Sequence, residues 1–409
     1  MQKDILLQIE NPSELEKLYQ SNKKEFTQSF DEIYAEIADK PMAKFWQERL
    51  HFVAPLKSTI DWKWVVWVSF LMGLLMELPK FMGWEEDTYY AKFVSIILLG
   101  GLALFTAIVK KAESKVLLSL TVACLFLAGY ISNVRSDSSE TIFILCAIHL
   151  AGIMAFLVAI SKLGNRFNHA SERILFLKYV GDLLIISGLI LLSVGLFSAL
   201  TINLFEAIQI KMGDFYPKYI LIWLLAPVPI VGAYLLELNP NLVSKISPII
   251  AKIFSPMALL SLMIFFAAFL MNENQTVRDR DFLLLFNGVL VAVLALIFFT
   301  VANQETNSKQ TFGVIVLCLL SIVAICINGI ALYAIVERIN EYGFSANRLA
   351  VLGSNVLMFI HLVLTSIQLL IATFSKNSTF KIQETIVNYL PIYLVWMVFV
   401  CFAFPILFK

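Results

Sequence analysis

Long runs of uncharged, apolar residues recur along this chain, and they restrict what it can fold into more than any other feature. The hydrocarbon core of a bilayer is about 30 Å thick, so a helix that crosses it needs about 20 apolar residues. The runs at 183–205 and 349–375 are the clearest, because neither contains a charged residue. The polar–apolar alternation of a membrane β-barrel is absent, so the runs predict helices.

Eleven such runs predict an all-α, polytopic transmembrane helix bundle in contact with a lipid bilayer. Composition agrees, since 59% of the 409 residues are hydrophobic and 15% are charged, whereas soluble domains carry about a quarter charged residues. A water-soluble enzyme and a disordered chain are therefore excluded. The predicted spans lie near 61–80, 90–109, 115–133, 141–161, 179–203, 218–236, 253–271, 282–303, 311–336, 348–374 and 386–408.

The distribution of Lys and Arg predicts which face each loop occupies. With the N-terminus in the cytoplasm, 16 Lys and Arg near the span ends lie inside and 10 lie outside, which follows the positive-inside rule. We expect the membrane to be a bacterial cytoplasmic (inner) membrane. Because the number of spans is odd, the C-terminus is then predicted to lie in the periplasm. The net charge of +1 provides no basic excess for binding nucleic acid.

The first 58 residues form a polar segment that we expect to be helical and cytoplasmic, followed by the transmembrane bundle at 59–409. The segment carries ten acidic and eight basic residues. Phe26, Phe30, Ile33 and Ile37 follow the spacing of one apolar helix face, and Ser13 to Glu16 has the pattern of a capping box. Two interpretations stay open: a helical cap on the bundle, or a docking module for a cytosolic protein partner.

A polar stripe runs along one side of the tenth span. Placed on a helical wheel, its members fall within about 60° of one another. They are Asn347, Ser354, His361, Thr365 and Gln368. In the ninth span Asn328 shares a face with Ser321 in the same way. The stripe indicates either hydrogen bonds between helices or residues that line a path for a solute or proton.

The sixth span contains Pro227 and Pro229, two residues apart. Proline lacks a backbone N–H and clashes with the preceding turn, so this pair should kink or break the helix. Many transporters expose backbone groups at such breaks. We therefore add both prolines to the candidate substrate-lining residues His361, Ser354, Thr365, Gln368 and Asn328.

The sequence contains no pattern for catalysis, metal binding or cofactor binding. With four histidines there is no His-Glu-x-x-His site, and neither a Walker loop nor a dinucleotide-binding glycine pattern occurs. The five cysteines all fall within predicted spans and lack the spacing of metal ligands. We expect no catalytic residues, no metal and no cofactor, and an enzyme is the least favoured class.

The segment from Glu337 to Arg348 resembles the C-terminal signature of a bacterial family, domain of unknown function 4153. Arg338, Tyr342, Gly343, Ser345 and Arg348 match that signature. Residues 171–178, 15–19 and 45–50 also resemble members of this family, so the likeness covers most of the chain. The resemblance implies a bacterial cytoplasmic-membrane protein and offers no activity to carry over. Arg338 and Arg348 either bracket a tight turn, with Gly343 ending one helix and Ser345 capping the next, or bind an anion or lipid headgroup.

These features rank the possible functions. A transporter or permease is favoured first, on the span count, the polar stripe and the proline break. The alternative is a membrane scaffold or sensor that acts through protein partners, supported by the polar N-terminal segment.

Overall fold

The computed structural model describes residues 1–50, 61–134, 140–209, 215–239, 243, 246–271, 280–304, 311–374 and 379–408. Within these ranges the backbone forms helices joined by turns, without a β-strand. The chain divides into two compact units, Met1–Thr59 and Ile60–Lys409. The predicted all-α class is confirmed.

The N-terminal unit contains four short helices around a core of its own. The helices are α1 (Gln2–Gln8), α2 (Pro12–Ser21), α3 (Lys23–Ile37) and α4 (Pro41–Leu50). Phe26, Phe30, Ile33 and Ile37 are buried as predicted, and they surround Trp46 of α4. The capping-box prediction is wrong, because Asn11 caps α2 by accepting a hydrogen bond from the Glu14 backbone N–H (3.4 Å). Pro12 then suits the first turn, where no N–H is needed.

The second unit contains eleven helical segments that are long and apolar enough to cross a membrane, as predicted. The first five are α5 (Trp62–Met82), α6 (Glu86–Val109), α7 (Ser114–Asn133), α8 (Glu140–Leu163) and α9 (Ala170–Ala207). The sixth, Tyr216–Leu238, consists of a π-helical turn followed by α10 (Leu221–Leu225) and α11 (Val228–Leu238). The last five are α12 (Ile246–Met271), α13 (Arg280–Ala302), α14 (Thr311–Tyr342), α15 (Ala346–Phe374) and α16 (Thr379–Leu407).

Two helices extend well beyond the predicted spans. Helix α9 contains 38 residues, which at 1.5 Å per residue is about 57 Å and far more than a bilayer core requires. Helix α14 contains 32 residues. In α9 the apolar stretch predicted from sequence is the middle of the helix, whereas in α14 it begins with the helix. In both, residues that include charged ones continue the helix beyond the predicted stretch.

Three clusters of buried apolar side chains hold the bundle together. One joins α12 to α16 around Ile297, Leu317 and Leu362. The second joins α5, α6, α9 and α11, and the third joins α6, α7, α8, α15 and α16. Outward-facing side chains are also apolar; Leu184 and Leu196 of α9, for example, are exposed. Such an apolar surface is unfavourable in water but compatible with the apolar tails of lipids. The chain is an integral membrane protein.

Candidate functional site

His361 lies near the middle of α15 and is fully buried among aromatic side chains. Its imidazole stacks on the ring of Tyr389 in α16, with ring centroids 4.3 Å apart. It also contacts the ring of Phe298 in α13, with ring centroids 4.6 Å apart. Nδ1 lies 3.2 Å from the hydroxyl of Tyr393. Nε2 is buried without a well-aligned hydrogen bond among the described residues, although the Ile386 carbonyl also contacts the ring. The imidazole is therefore held by packing and one hydrogen bond, with one nitrogen left over.

Thr365 follows His361 by about one turn and is equally buried. In a helix a threonine hydroxyl normally donates to the carbonyl four residues earlier, as Thr373 does to Leu369 (2.8 Å). The Thr365 hydroxyl has no hydrogen-bond partner in the described part of the chain. Its unused hydroxyl thus lies on the same face of α15 as the unused Nε2 of His361.

Asn328 and Asn355 meet where α14 packs on α15, and both are at most 1% exposed. The Asn328 amide Nδ2 donates to the backbone carbonyl of Asn355 (3.2 Å). Asn328 Oδ1 and both amide atoms of Asn355 have no partner among the described residues. A buried polar group that lacks a partner costs about 1–3 kcal/mol, so three such atoms in one interface are a notable departure from normal packing.

The rest of the predicted stripe is less buried. Ser354 is half-buried, and its hydroxyl accepts a hydrogen bond from the indole Nε1 of Trp396 (3.0 Å). Gln368 is also half-buried. The structure therefore puts Ser354, His361, Thr365 and Gln368 along one helix, with Asn328 on the adjacent helix.

Three polar residues of this region were not singled out from the sequence. They are Asn355, Tyr389 and Tyr393. Asn355 directly follows Ser354. Its backbone carbonyl accepts from Asn328 of α14, whereas the Ser354 hydroxyl accepts from Trp396 of α16. The two tyrosines could have been found from their four-residue spacing in the last span, since this spacing puts both on one helix face.

Pro227 and Pro229 interrupt the sixth span as predicted, because α10 ends at Leu225 and α11 begins at Val228. The break lies away from the tenth span, however. Its buried neighbours Ala226 and Ile230 belong to the apolar cluster of α5, α6, α9 and α11, whereas the buried neighbours of His361 belong to the cluster of α12 to α16. The structure does not bring the prolines and His361 into one site.

Arg338 and Arg348 flank the turn between α14 and α15. Arg348 Nη1 donates to the carbonyls of Tyr342 (2.9 Å) and Gly343 (2.7 Å), so its guanidinium caps the end of α14. Gly343 has a left-handed φ of +75°, and the Ser345 hydroxyl accepts a hydrogen bond from the Arg348 backbone N–H (3.4 Å). The predicted turn is confirmed. Arg338 Nε is buried without a partner among the described residues.

Charged residues also form two clusters at the helix ends that sequence reasoning missed. Glu77 and Lys80 of α5 form a nearly buried ion pair (3.1 Å), and Lys80 donates to the carbonyl of Lys218. At the opposite end of the bundle Lys162 pairs with Glu237. The Lys80–Lys218 contact and the Lys162–Glu237 pair connect elements that are distant in sequence.

Lys110, between the second and third spans, belongs to the second of these end clusters and donates to the carbonyl of Lys162. Burial lowers the pKa of the Lys110 ammonium, and the positive charge of Arg166 lowers it further, while Glu172 opposes the shift. Desolvation disfavours the charged form of a lysine, so the Lys162 carbonyl and Glu172 compensate only part of that cost.

Neither of two cavities formed by described residues is lined by His361 or Thr365. One, of about 340 Å³, is an apolar groove formed mainly by α9, which suits a lipid tail better than a polar solute. The other, between α9, α13 and α16, is too narrow to hold a water molecule, and Phe298 and Ile386 are among the residues that line it. Both of these residues also contact His361.

Within the described ranges, no three His, Cys, Asp or Glu side chains are grouped so that they could hold a metal ion. The polar atoms around His361 are neutral amide, hydroxyl and imidazole groups. Comparison with known proteins adds no further identification, because no family model, curated protein or solved structure matches the chain.

Proposed function

We propose that this protein is a permease-like transporter for a small, uncharged, hydrogen-bonding solute, and that His361, Thr365, Asn328 and Asn355 form its binding site. The site would be closed in the conformation described. We also propose membership of the family resembled by Glu337–Arg348 and a location in a bacterial cytoplasmic membrane.

One observation carries this proposal: unpaired polar atoms concentrate near the middle of two neighbouring spans, α14 and α15. They belong to His361, Thr365, Asn328 and Asn355. Hydrocarbon cannot hydrogen-bond to such groups, so polar residues in spans face protein, water or a transported solute. The unpaired set contains donors and acceptors without a charged residue, which favours a neutral ligand over an ion.

Transport in reconstituted liposomes tests the proposal. The full chain would be assayed with labelled glycerol, urea and acetamide, and with an internal pH dye for proton flux. We expect uptake of at least one of these probes by the parent protein. His361→Leu should abolish it, because leucine fills a similar volume without a hydrogen-bonding group.

His149→Leu is the matched control. His149 lies in another span, α8, and its Nδ1 lies 2.8 Å from the Leu145 carbonyl of its own helix. This variant should transport like the parent. Equal uptake by His361→Leu and the parent, or equal loss in both variants, would contradict the assigned site.

A membrane scaffold or sensor remains the alternative function, and the N-terminal unit favours it. Residues 1–50 have an apolar core of their own, yet Leu7 and Phe45 are 80% and 58% exposed. Exposed large apolar side chains are typical of surfaces that bind other proteins. A cytosolic protein that co-purifies with the chain, and is lost on Leu7→Ser with Phe45→Ser, would support this alternative.

A further inference from the structure

Two turns at one end of the bundle bring positive charges together. Lys110 begins the turn between α6 and α7, and Arg166 lies in the turn between α8 and α9. The Lys110 ammonium donates to the backbone carbonyl of Lys162 at the end of α8, so the two turns are in contact. Lys110 is also close enough to Arg166 for their positive charges to interact. The Lys110 and Arg166 side chains both remain accessible from outside the bundle.

The carboxylates of this region do not neutralise its charge. Glu237 pairs with Lys162, and Glu172 pairs with Arg166 (3.0 Å). In the described part of the chain, no carboxylate forms an ion pair with Lys110. Partial burial and the charge of Arg166 lower the pKa of the Lys110 ammonium, and Glu172 offsets only part of that shift. A further negative charge beside Lys110 and Arg166 would therefore be favourable.

The turn after α6 joins this positive charge to an apolar surface. Lys111 and Lys115 are exposed, and Glu113 is the one acidic residue between them. Directly after Lys115, α7 presents Val116 and Leu118 on its outer side, where they are 41% and 65% exposed. An anionic phospholipid has the same order of groups, because its charged phosphate lies at the membrane surface and its apolar acyl chains lie beneath it.

The depth of the two cations also favours a lipid phosphate over a soluble anion. Lys110 directly follows Val109, the last residue of α6, and Arg166 lies three residues beyond Leu163, the last residue of α8. Helix ends lie near the membrane surface, so both cations are at the depth of lipid phosphates. A soluble anion would meet the same charges without using the apolar face of α7.

We propose that Lys110 and Arg166 bind the phosphate of an anionic phospholipid, in the leaflet at the face predicted to be cytoplasmic, while its acyl chains lie along the outer face of α7. Arg166 has further N–H donors besides the one that it gives to Glu172, and its planar fork matches phosphate oxygens. Lys110 adds a point charge. This site is separate from His361 and does not depend on the transport assignment.

Lipid retention by the full-length protein tests the site. The protein would be stripped of lipid in a neutral detergent and titrated with dioleoyl-phosphatidylglycerol or dioleoyl-phosphatidylcholine, which share acyl chains and differ in net charge. Native mass spectrometry would count the lipids bound. We expect the parent to bind phosphatidylglycerol about tenfold more tightly than phosphatidylcholine. The double variant Lys110→Gln with Arg166→Gln should lose that preference.

Lys252→Gln with Lys381→Gln is the matched control. It removes the same charge from two exposed lysines at the same predicted face, on α12 and α16 instead of the turns after α6 and α8. This variant should keep the preference of the parent. If the Lys110 and Arg166 double variant does not give folded protein by size-exclusion chromatography, Arg166→Gln alone would replace it, because the Arg166 side chain is 61% exposed.

Three results would overturn the proposal. Equal binding of the two lipids by the parent would mean that charge does not select the lipid. An equal loss of preference in the control would mean that only the total charge of this face matters. Displacement of phosphatidylglycerol by millimolar inorganic phosphate would assign the two cations to a soluble anion instead of a lipid, whereas we expect the lipid to be retained.

Discussion

His361 has two ring nitrogens in an apolar environment, and Tyr393 supplies the side-chain hydrogen bond to one of them. Tyr393→Phe keeps the aromatic packing and removes the hydroxyl. Because a buried group left without a partner costs about 1–3 kcal/mol, we expect the apparent melting temperature in detergent to fall. Tyr333→Phe, at an exposed tyrosine of α14, should leave it unchanged. An unaltered melting temperature in Tyr393→Phe would mean that the hydrogen bond contributes nothing.

Glu16 of α2 is the residue at which we expect a pH effect on the N-terminal unit. The Gln20 amide (2.7 Å) and the Arg49 guanidinium (3.0 Å) donate to its carboxylate, and these contacts lower its pKa below the ordinary 4.5. A lowered folded-state pKa stabilises the fold above the unfolded pKa, and the gain is lost as the pH falls through the folded value.

Hydrogen exchange of residues 1–50 in the full chain measures this effect. Protection should decrease as the pH is lowered below about 4.5, after correction for the intrinsic exchange rate. Glu16→Gln should make that decrease smaller, while Glu48→Gln, at an exposed site on α4, should not. An identical pH profile for parent and Glu16→Gln would show that the ionised form gains nothing from folding.

The polar stripe shows what sequence predicts at the residue scale. Polarity and spacing on one helix selected His361 and Thr365, which are fully buried. They also selected Ser354 over Asn355, although Asn355 is the more buried of the two. A helical wheel treats the helix alone, whereas α15 packs against α14 on one side and α16 on another, so polar residues on both sides are buried.

At the scale of helices, Gly353 allows α15 and α16 to approach closely. A Cβ atom at this position would overlap the indole of Trp396, and that indole donates to Ser354 in the next position. Gly353→Ala should therefore displace Trp396 and destabilise the bundle by about 1–3 kcal/mol, the usual cost of overpacking.

Gly129→Ala is the matched control for Gly353→Ala. Gly129 is also within a span, α7, but a Cβ there would meet nothing within 4 Å. Alanine has the higher helix propensity, so this variant should be as stable as the parent or slightly more stable. Thermal unfolding followed by size-exclusion chromatography distinguishes the two. Equal stability of both variants would mean that Trp396 moves at no cost.

Helix positions were predictable from sequence, but helix neighbours were not. Charge-free length predicted all eleven spans, because a bilayer imposes a minimum on apolar runs. The proline pair correctly predicted the break before Val228. Its separation from His361 could not be predicted, since hydropathy contains no information about which spans share a core. The contact between Lys80 and the Lys218 carbonyl was missed for a related reason, because sequence alone does not show that the first and sixth spans are neighbours.

For the whole molecule, the contacts in the two end clusters agree with the membrane faces expected if every span crosses the bilayer. Glu77 and Lys80 end the first span and meet Lys218 at the start of the sixth. Lys162 ends the fourth span and meets Glu237 at the end of the sixth. If all eleven segments cross, these two contacts lie at opposite faces, because the first and fourth spans end on different sides. The alternation of predicted faces and the observed contacts therefore agree.

This arrangement leads to a prediction about orientation. Lys110, Lys162 and Arg166 lie together at one end of the bundle, which the positive-inside rule assigns to the cytoplasm. Expressed in a bacterial host, a fluorescent protein fused after Leu238 should be bright, and alkaline phosphatase fused after Leu407 should be active, because the first reporter folds in the cytoplasm and the second in the periplasm. The reverse pattern would invert the assigned orientation. Two fusions reporting the same side would mean that the number of crossings after Leu238 is even, so that one of the five later apolar helices does not cross.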